Sequence, residues 1–329
     1  MKISVVVTTY NLSRYIEECL NSILQQTQAP FEVILADDSS TDNTVDLAKL
    51  ICPELIVVKQ NENCGALLNT LSGLNRATGD VIAFIDGDDT WPKDKLERVK
   101  EQFVQDEHVF LVTHAHRRVD ANGRPTGATD QTHKNVARIL RFPGDEKRQI
   151  EFRNSILLRR GLWLGSAYSM RRSSIDLETF NRLIQLDLNA RYAYLDLVLG
   201  PFVAQTNPNG RIVYLEDVVF DYRLHEHNSA ASHTMEKQLL AIKRGRSTNL
   251  VTRNILRASQ ADSLTIQEYE DILREYDFLE ALYAKRIGTA LRHFFGLLTH
   301  FYRQGNLLKE FARLVIVCCV GPVRFLQLK

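Results

Sequence analysis

An α/β architecture, a mainly parallel sheet flanked by helices, is the fold class that the sequence predicts, and three observations predict it. Short runs rich in β-branched residues alternate with longer amphipathic runs through the first hundred residues. The short runs are apolar on both faces, as strands buried in a parallel sheet are. The segments between them have the length of crossover helices, roughly 10 to 15 residues.

Ile3 to Val7 reads as the first strand, and Ser13 to Gln25 as a helix with Ile16, Cys19, Leu20, Ile23 and Leu24 on one face. Phe31 to Ala36 is the second strand, Thr41 to Ile51 the second helix, Leu55 to Val58 the third strand and Gly65 to Ala77 the third helix. Val81 to Ile85 follows as a strand entered through the Gly79-Asp80 turn, and Pro92 opens the next helix. From Asp120 to Gly144 the chain turns polar, with one helix expected at Lys134 to Arg141. An apolar segment at Leu162 to Met170, a helical stretch from Leu177 to Phe202 and a strand from Arg211 to Tyr222 come next. From Met235 onward the pattern is helical.

The chain has 329 residues, 44% hydrophobic and 25% charged, which excludes disordered, collagen-like and disulfide-scaffold classes. A net charge of +1 argues against a nucleic-acid partner. Cys19, Cys52, Cys64, Cys318 and Cys319 form no CxxC pair, as expected of unbridged thiols in a reducing compartment. The N-terminal apolar run is too short for a signal-peptide core, and Leu314 to Val320 is too short to span a bilayer. These features together predict a cytoplasmic location.

Two acidic clusters end consecutive strands of this pattern. Asp86-Gly87-Asp88-Asp89 follows the strand Val81 to Ile85, at the carboxyl edge where parallel sheets present ligand crevices. Three carboxylates held so closely either raise a pKa or collect a cation, and oxygen ligands favour Mg²⁺ or Mn²⁺ over zinc. The competing reading is helix capping by Asp89 or Thr90 ahead of Pro92. Asp37-Asp38-Ser39-Ser40-Thr41-Asp42 ends the second strand on the same edge, where a carboxylate can accept from a base imide or a ribose hydroxyl, and there the cap reading falls on Ser40 or Asp42. Thr8, Thr9 and Tyr10, at the end of the first strand, can hydrogen-bond to a base or stack on it. The pairs His114-Ala-His116 and His225-Glu-His227 suit zinc in type but lack further ligands at a familiar spacing. Thr8-Thr9-Tyr10-Asn11 also stands where a dinucleotide fold would carry G-x-G-x-x-G, which argues against a nicotinamide-dependent dehydrogenase.

Four segments resemble glycosyltransferase family 2, the inverting nucleotide-sugar enzymes of GT-A fold: Ser4 to Asn11, Ile34 to Thr44, Ala77 to Trp91 and Tyr222-Arg-Leu-His225. The resemblance is strong over residues 3 to 99 and loose over 160 to 232. It implies a GT-A nucleotide-binding domain over 1–232, with a donor half to residue 118 and an acceptor half from 119, followed by a helical region over 233–329. It also implies that Thr8, Tyr10 and Asp38 hold the base with Asp37 assisting, that Asn63 and Gly65 belong to the donor loop, and that Asp86 faces the ribose or sugar. Asp88, Asp89 and His225 would be the metal ligands. The Arg-Asn pair that many members carry farther along is here Thr70-Leu71, with Asn69 and Asn75 the nearest polar substitutes.

An inverting transfer needs a carboxylate base for the acceptor hydroxyl. The family uses an Asp, usually after a Glu, and Asp196 is the best positional match although Leu195 replaces that Glu; Asp187 and Asp217, the latter in a literal Glu216-Asp217 pair, stay open. The resemblance thus implies a nucleotide-sugar donor, with UDP-sugar favoured, and a saccharide or lipid-linked glycan acceptor in bacterial surface-polysaccharide assembly. The alternative is a non-catalytic nucleotide-sugar-binding or scaffold protein on the same fold.

Between Tyr283 and Lys329 stand eight cations and one acid, Glu310, interleaved with Phe294, Phe295, Phe301, Tyr302, Phe311 and Phe325. That pattern predicts contact with an anionic membrane surface, hence a peripheral position at the inner face of the cell membrane. The competing reading packs the aromatics inward, and Cys318-Cys319 is expected to be buried.

Overall fold

Four runs of β-branched residues pair in parallel: Ile3–Thr9 (β1), Glu32–Asp37 (β2), Ile56–Lys59 (β3) and Val81–Asp86 (β4). Val109–Val119 (β5), Ser169–Arg171 (β6) and Arg211–Arg223 (β7) complete a seven-stranded sheet of order β3-β2-β1-β4-β6-β5-β7. β6 runs antiparallel to both its neighbours, while β5 and β7 are parallel. This computed structural model describes residues 1–127, 131–158, 165–225 and 234–322. The chain folds as two compact units, Met1–His225 and Glu226–Lys329. The expected domain boundary at 232/233 lies outside the described residues.

The crossovers are Ile16–Leu24 (α1), Thr44–Ile51 (α2), Ala66–Arg76 (α3) and Lys95–Gln105 (α4). α1 buries Ile16, Cys19, Leu20 and Ile23, the stripe that its spacing predicts, against Val5, Val7, Leu35 and Ile85 of the sheet. Each such side chain contributes about 1.5 to 3 kcal/mol on burial, so this contact fixes which strands lie side by side. Three helices start later than expected. Leu12 N donates to Thr44 Oγ1 and Ser13 N to Asp42 Oδ2, so side chains take amides that would otherwise open the first helix. Thr41 N likewise donates to Asn11 Oδ1, delaying α2. α4 begins at Lys95 rather than at Pro92, and Asp89 does not cap it.

The rest of the first unit holds Gln131–Leu140 (α5), Asp145–Leu157 (α6), Leu177–Gln185 (α7) and Asp196–Thr206 (α8). The stretch from Leu177 to Phe202 is therefore not one helix. Asp187 Oδ1 accepts from both Asn189 N and Asn189 Nδ2, a side-chain turn that competes with the helical ladder and ends α7. Of the apolar segment at 162–170, residues 162–164 lie outside the described residues, and Gly165–Ala167 is a 3₁₀ turn leading to β6.

The second unit is helical: Met235–Ala258 (α9), Ser263–Tyr283 (α10), Ile287–Gly296 (α11), Leu298–Arg303 (α12) and Leu307–Val320 (α13). Thr234 and Asp262 cap the first two of these through their side-chain oxygens. Phe278, Leu282, Phe294, Phe301, Leu314 and Val317 form its core. No helix among the described residues is long and apolar enough to cross a membrane.

Candidate donor site at the carboxyl edge of the sheet

Parallel pairing sets Thr9 opposite Asp37 and Thr8 opposite Asp86, which gathers the ends of β1, β2 and β4 on one edge. Thr8 Oγ1 donates to Asp86 Oδ1 at 2.5 Å. Ligand oxygens of Asp86, Asp88 and Asp89 all lie within 4.8 Å of one another. Gly87 makes that packing possible, since a Cβ there would stand 2.6 Å from Thr9 Cγ2. Asp86 is exposed at the mouth of the cleft, yet crowding of its carboxyl by surrounding atoms, followed by the Asp88 charge, pushes it up to about 6. Burial and the same neighbours push Asp89 well above the usual carboxylate range.

Each acid in this cluster has a different surrounding. Asp88 Oδ2 lies 2.8 Å from His225 Nε2, and the His225 ring stacks on Tyr15 at 4.7 Å between centroids. Asp89 is 1% exposed; Ser166 Oγ donates to its Oδ2 at 2.8 Å and Arg223 N to its Oδ1 at 2.9 Å. Asp89, expected as a metal ligand, lies within ligand reach of the other two and also anchors the loop, since each of its oxygens accepts one bond from the protein and keeps a lone pair free. Asp86 is the second carboxylate open to the cleft. Oxygen donors from Asp86 and Asp88 beside one imidazole fit a hard divalent cation, whose charge would relieve the repulsion that raises Asp86.

The second acidic cluster is also turned inward. Asp37, expected to assist at the nucleoside, is fully buried and accepts from Thr9 Oγ1, Ser40 N and Ser40 Oγ. It closes the turn after β2 instead of facing a ligand. Asp38 is 4% exposed, and its two oxygens take Cys64 N at 2.7 Å and Gly65 N at 3.0 Å. Asp42 accepts from Thr44 N, but the residue at the N-cap of α2 is Asn43, so neither Ser40 nor Asp42 holds the cap position expected of it. Tyr10, by contrast, is 47% exposed at the end of β1. Asn63 is exposed too, and its carbonyl accepts from Arg191. Gly65 adopts φ +89° against the Arg191 carbonyl, where any Cβ would collide.

The three base candidates separate by position. Asp196 opens α8, half-buried, and a methyl placed on Gly165 would stand 3.4 Å from its Cβ. The next residue, Ser166, donates to Asp89 and accepts from Asp86 N, so Asp196 stands near the residue that precedes the cluster's Ser166 anchor. Asp187 accepts from Asn189 within its own turn, and Asp217 pairs with Arg98 at 2.8 Å on the surface. The polar substitutes near Thr70-Leu71 do not open to the cleft: Asn69 is 2% exposed and donates to Ala36 O, and Asn75 pairs with Asn181.

Several residues without an assigned role hold the site together. Arg223, 2% exposed at its side chain, donates Nε to Asp88 O, Nη1 to Ala121 O and Nη2 to Glu18 Oε2. Lys95 is fully buried, with Nζ 2.9 Å from Ser166 O and 3.8 Å from the Trp91 ring centroid, and burial lowers its pKa well below normal. Arg223 belongs to the Tyr222-Arg-Leu-His225 segment, the one sequence signal that could have found it. His114 and His116 are buried on β5, with the His133 ring 4.5 Å from that of His116, but among the described residues they form no metal-holding group, and His227 lies outside those residues. Among the described residues the one cluster able to hold a metal is that of Asp86, Asp88 and Asp89.

Residues 4–169 match the family model described as Glycosyl transferase family 2. The chain belongs to that family. An uncharacterized glycosyltransferase of Nostoc sp. is 30% identical over 250 residues, 72% of this chain and 70% of the relative. Family membership extends to a shorter match, the Escherichia coli UDP-Glc:alpha-D-GlcNAc-diphosphoundecaprenol beta-1,3-glucosyltransferase WfaP, 36% identical over 110 residues, 33% of this chain and 43% of the relative. Among solved structures, the mannosyltransferase PcManGT of Pyrobaculum calidifontis, in complex with GDP-Man and Mn²⁺, aligns with a TM-score of 0.52 at 18% identity, over 99% of this chain and 85% of that one. The fold is therefore the GT-A type of this glycosyltransferase family, with a helical C-terminal region.

Proposed function

We propose that this chain is an inverting glycosyltransferase that moves one sugar from a nucleoside diphosphate donor, a UDP-sugar in the first instance, to a saccharide or lipid-linked glycan in bacterial surface-polysaccharide assembly. The observation that carries the reading is the Asp86, Asp88 and His225 group at the carboxyl edge of the sheet, with Asp196 close to Gly165, the neighbour of the Ser166 that bonds this loop. The UDP-glucose donor and lipid-diphosphate acceptor in the name of WfaP, and the GDP-Man and Mn²⁺ bound by PcManGT, support the donor class, the acceptor class and the metal.

Asp88 and His225, with Asp86, would hold Mg²⁺ or Mn²⁺, which supplies positive charge beside a departing diphosphate. Tyr10 offers an exposed ring face to the base, Thr8 fixes Asp86 toward the donor, and the Asp38 carboxylate shapes the Cys64-Gly65 wall by holding two amides. Asp196 takes the acceptor hydroxyl's proton while that oxygen bonds to the anomeric carbon. The bond from that carbon to the diphosphate oxygen breaks, and its electron pair leaves with the nucleoside diphosphate.

Calorimetric titration with UDP, GDP and dTDP, each with Mn²⁺ and then with EDTA, tests the donor site. Binding of one nucleotide that disappears with EDTA supports it and names the base; no binding by folded protein overturns it. Slow release of free nucleoside diphosphate from the matching donor separates an enzyme from a binding protein, which would hold the donor intact.

A further inference from the structure

We propose that the exposed apolar face of α11, α12 and α13 docks on an anionic bilayer surface, with α13 lying in the plane of the interface. α13 turns Leu314 and Val317 to the core of its unit, yet Leu308, Phe311, Val315 and Ile316 are 83%, 52%, 43% and 37% exposed. An ordinary surface helix carries polar residues at those positions. Cys318 and Cys319, expected to be buried, are exposed on the same helix. Phe295 of α11 is 64% exposed and Tyr302 of α12 76%. The buried Phe294 ring lies 5.8 Å from Phe295 and 6.1 Å from Phe311, so both exposed rings border the same core residue. Large apolar side chains left exposed at this density on neighbouring helices mark a contact site.

Charge selects the occupant. Residues 281–322 carry Lys285, Arg286, Arg292, Arg303, Lys309 and Arg313 against a single acid, Glu310; Arg286 and Arg303 pair with Glu280 and Asp271 of α10, so Lys285, Arg292 and Lys309 carry most of the outward charge. Glu310 is 1% exposed and held by Arg313 at 2.8 Å, so this stretch presents cations and no exposed carboxylate of its own. An apolar face among cations matches an anionic lipid surface. At 14 residues α13 is about 21 Å long, short of the roughly 20 residues that a spanning helix needs, which leaves the interface as its place. Phe294 and Phe301 pack inward, so the inward-packing reading holds for those rings while Phe295, Tyr302 and Phe311 remain outside. Phe325 lies outside the described residues.

Flotation of the full chain with phosphatidylcholine vesicles, with or without about one-third phosphatidylglycerol, tests the proposal. The chain is expected to float with the anionic vesicles and about tenfold less with the neutral ones. Phe295→Ser with Phe311→Ser, and separately Arg292→Glu with Lys285→Glu, each lower the anionic partition about tenfold; the charge pair, whose side chains face outward, does so without changing the melting temperature. A polarity-sensitive fluorophore on Cys318 and Cys319 shifts to the blue on binding. Absence of flotation overturns the proposal, as does flotation unaffected by either pair of substitutions. A concentration-dependent dimer without lipid, lost in the double serine variant and accompanied by no flotation, assigns the face to self-association instead.

Discussion

The His225 imidazole lies 2.8 Å from Asp88 Oδ2 although 137 residues separate them in the chain, and the contact joins the end of β7 to the loop after β4. Arg223, two residues earlier, secures the same junction by donating to Asp88 O and, through its amide, to Asp89. The acidic loop is thus held from behind by a strand that enters the sheet last. Its open side carries Asp86 and one edge of Asp88.

Asp88→Asn should separate binding from stability. The Asp88 charge raises both Asp86 and Asp89, so its removal relieves repulsion in the metal-free protein and increases stability by on the order of 1 kcal/mol. The same change removes an oxygen proposed to bind the metal and should weaken Mn²⁺-dependent nucleotide binding at least tenfold. Urea unfolding with EDTA and calorimetry with Mn²⁺ check the two directions. A variant that loses both stability and binding would make Asp88 a structural residue.

Asp196→Asn keeps the size of the side chain and removes the proposed proton acceptor. The expected outcome is a kcat lower by a factor of about 10² to 10⁴ with the nucleotide Kd within twofold. Single-turnover sugar transfer measures the first quantity and calorimetry the second. Asp187→Asn and Asp217→Asn serve as controls and should leave kcat within about twofold, because those carboxylates serve a turn and a surface ion pair.

The sheet was legible because each strand in the first hundred residues is apolar on both faces, a pattern that needs no partner to be recognised. The acidic edge followed, since a run of Asp after such a strand has one place to go. Which way each Asp turns was not legible. Asp37 and Asp86 both end strands, yet Ser40 folds back over Asp37 while Asp86 stays at the cleft. That difference arises from a turn three residues away and from register with β1. Ser166 and Lys95 were invisible for a similar reason: each acts through contacts about 70 to 80 residues distant, and neither residue type announces a role. The break at 186–189 was hidden by the apolar spacing around it, and one Asx turn decided it.

Glu32 gives the fold a pH dependence that can be assigned. Burial would raise its pKa, but bonds from Ser4 Oγ, Thr78 N and Thr78 Oγ1 outweigh that and hold it below the usual carboxylate value. A depressed folded-state pKa contributes stability that is present above the unfolded value, about 4.3, and is lost as pH falls through the folded value. The gap in urea midpoint between wild type and Glu32→Gln should therefore be constant from pH 7 to about 5 and shrink below that. A gap that persists undiminished to the lowest pH at which the protein folds would mean that the carboxylate's charge is not what binds Ser4 and Thr78.

Gly65→Ala should destabilise the protein through two independent causes. The residue adopts φ +89°, a conformation that L side chains rarely take, and its Cβ would stand 1.8 Å from the Arg191 carbonyl oxygen. The first cause alone costs about 1 kcal/mol; the second requires the backbone at Arg191 or at Gly65 to move. Because Asp38 holds Gly65 N, that movement pulls on the loop proposed above to wall the nucleotide site. A loss of at least about 2 kcal/mol in urea unfolding is expected, with a parallel drop in nucleotide affinity. Gly127→Ala is the informative contrast, since it also has a positive φ, +68°, but nothing lies within 4 Å of its Cβ. It should lose only the conformational share, about 1 kcal/mol, and keep nucleotide binding intact. Equal losses at the two sites would show that steric contact with Arg191 plays no part, and that backbone conformation alone keeps glycine at position 65.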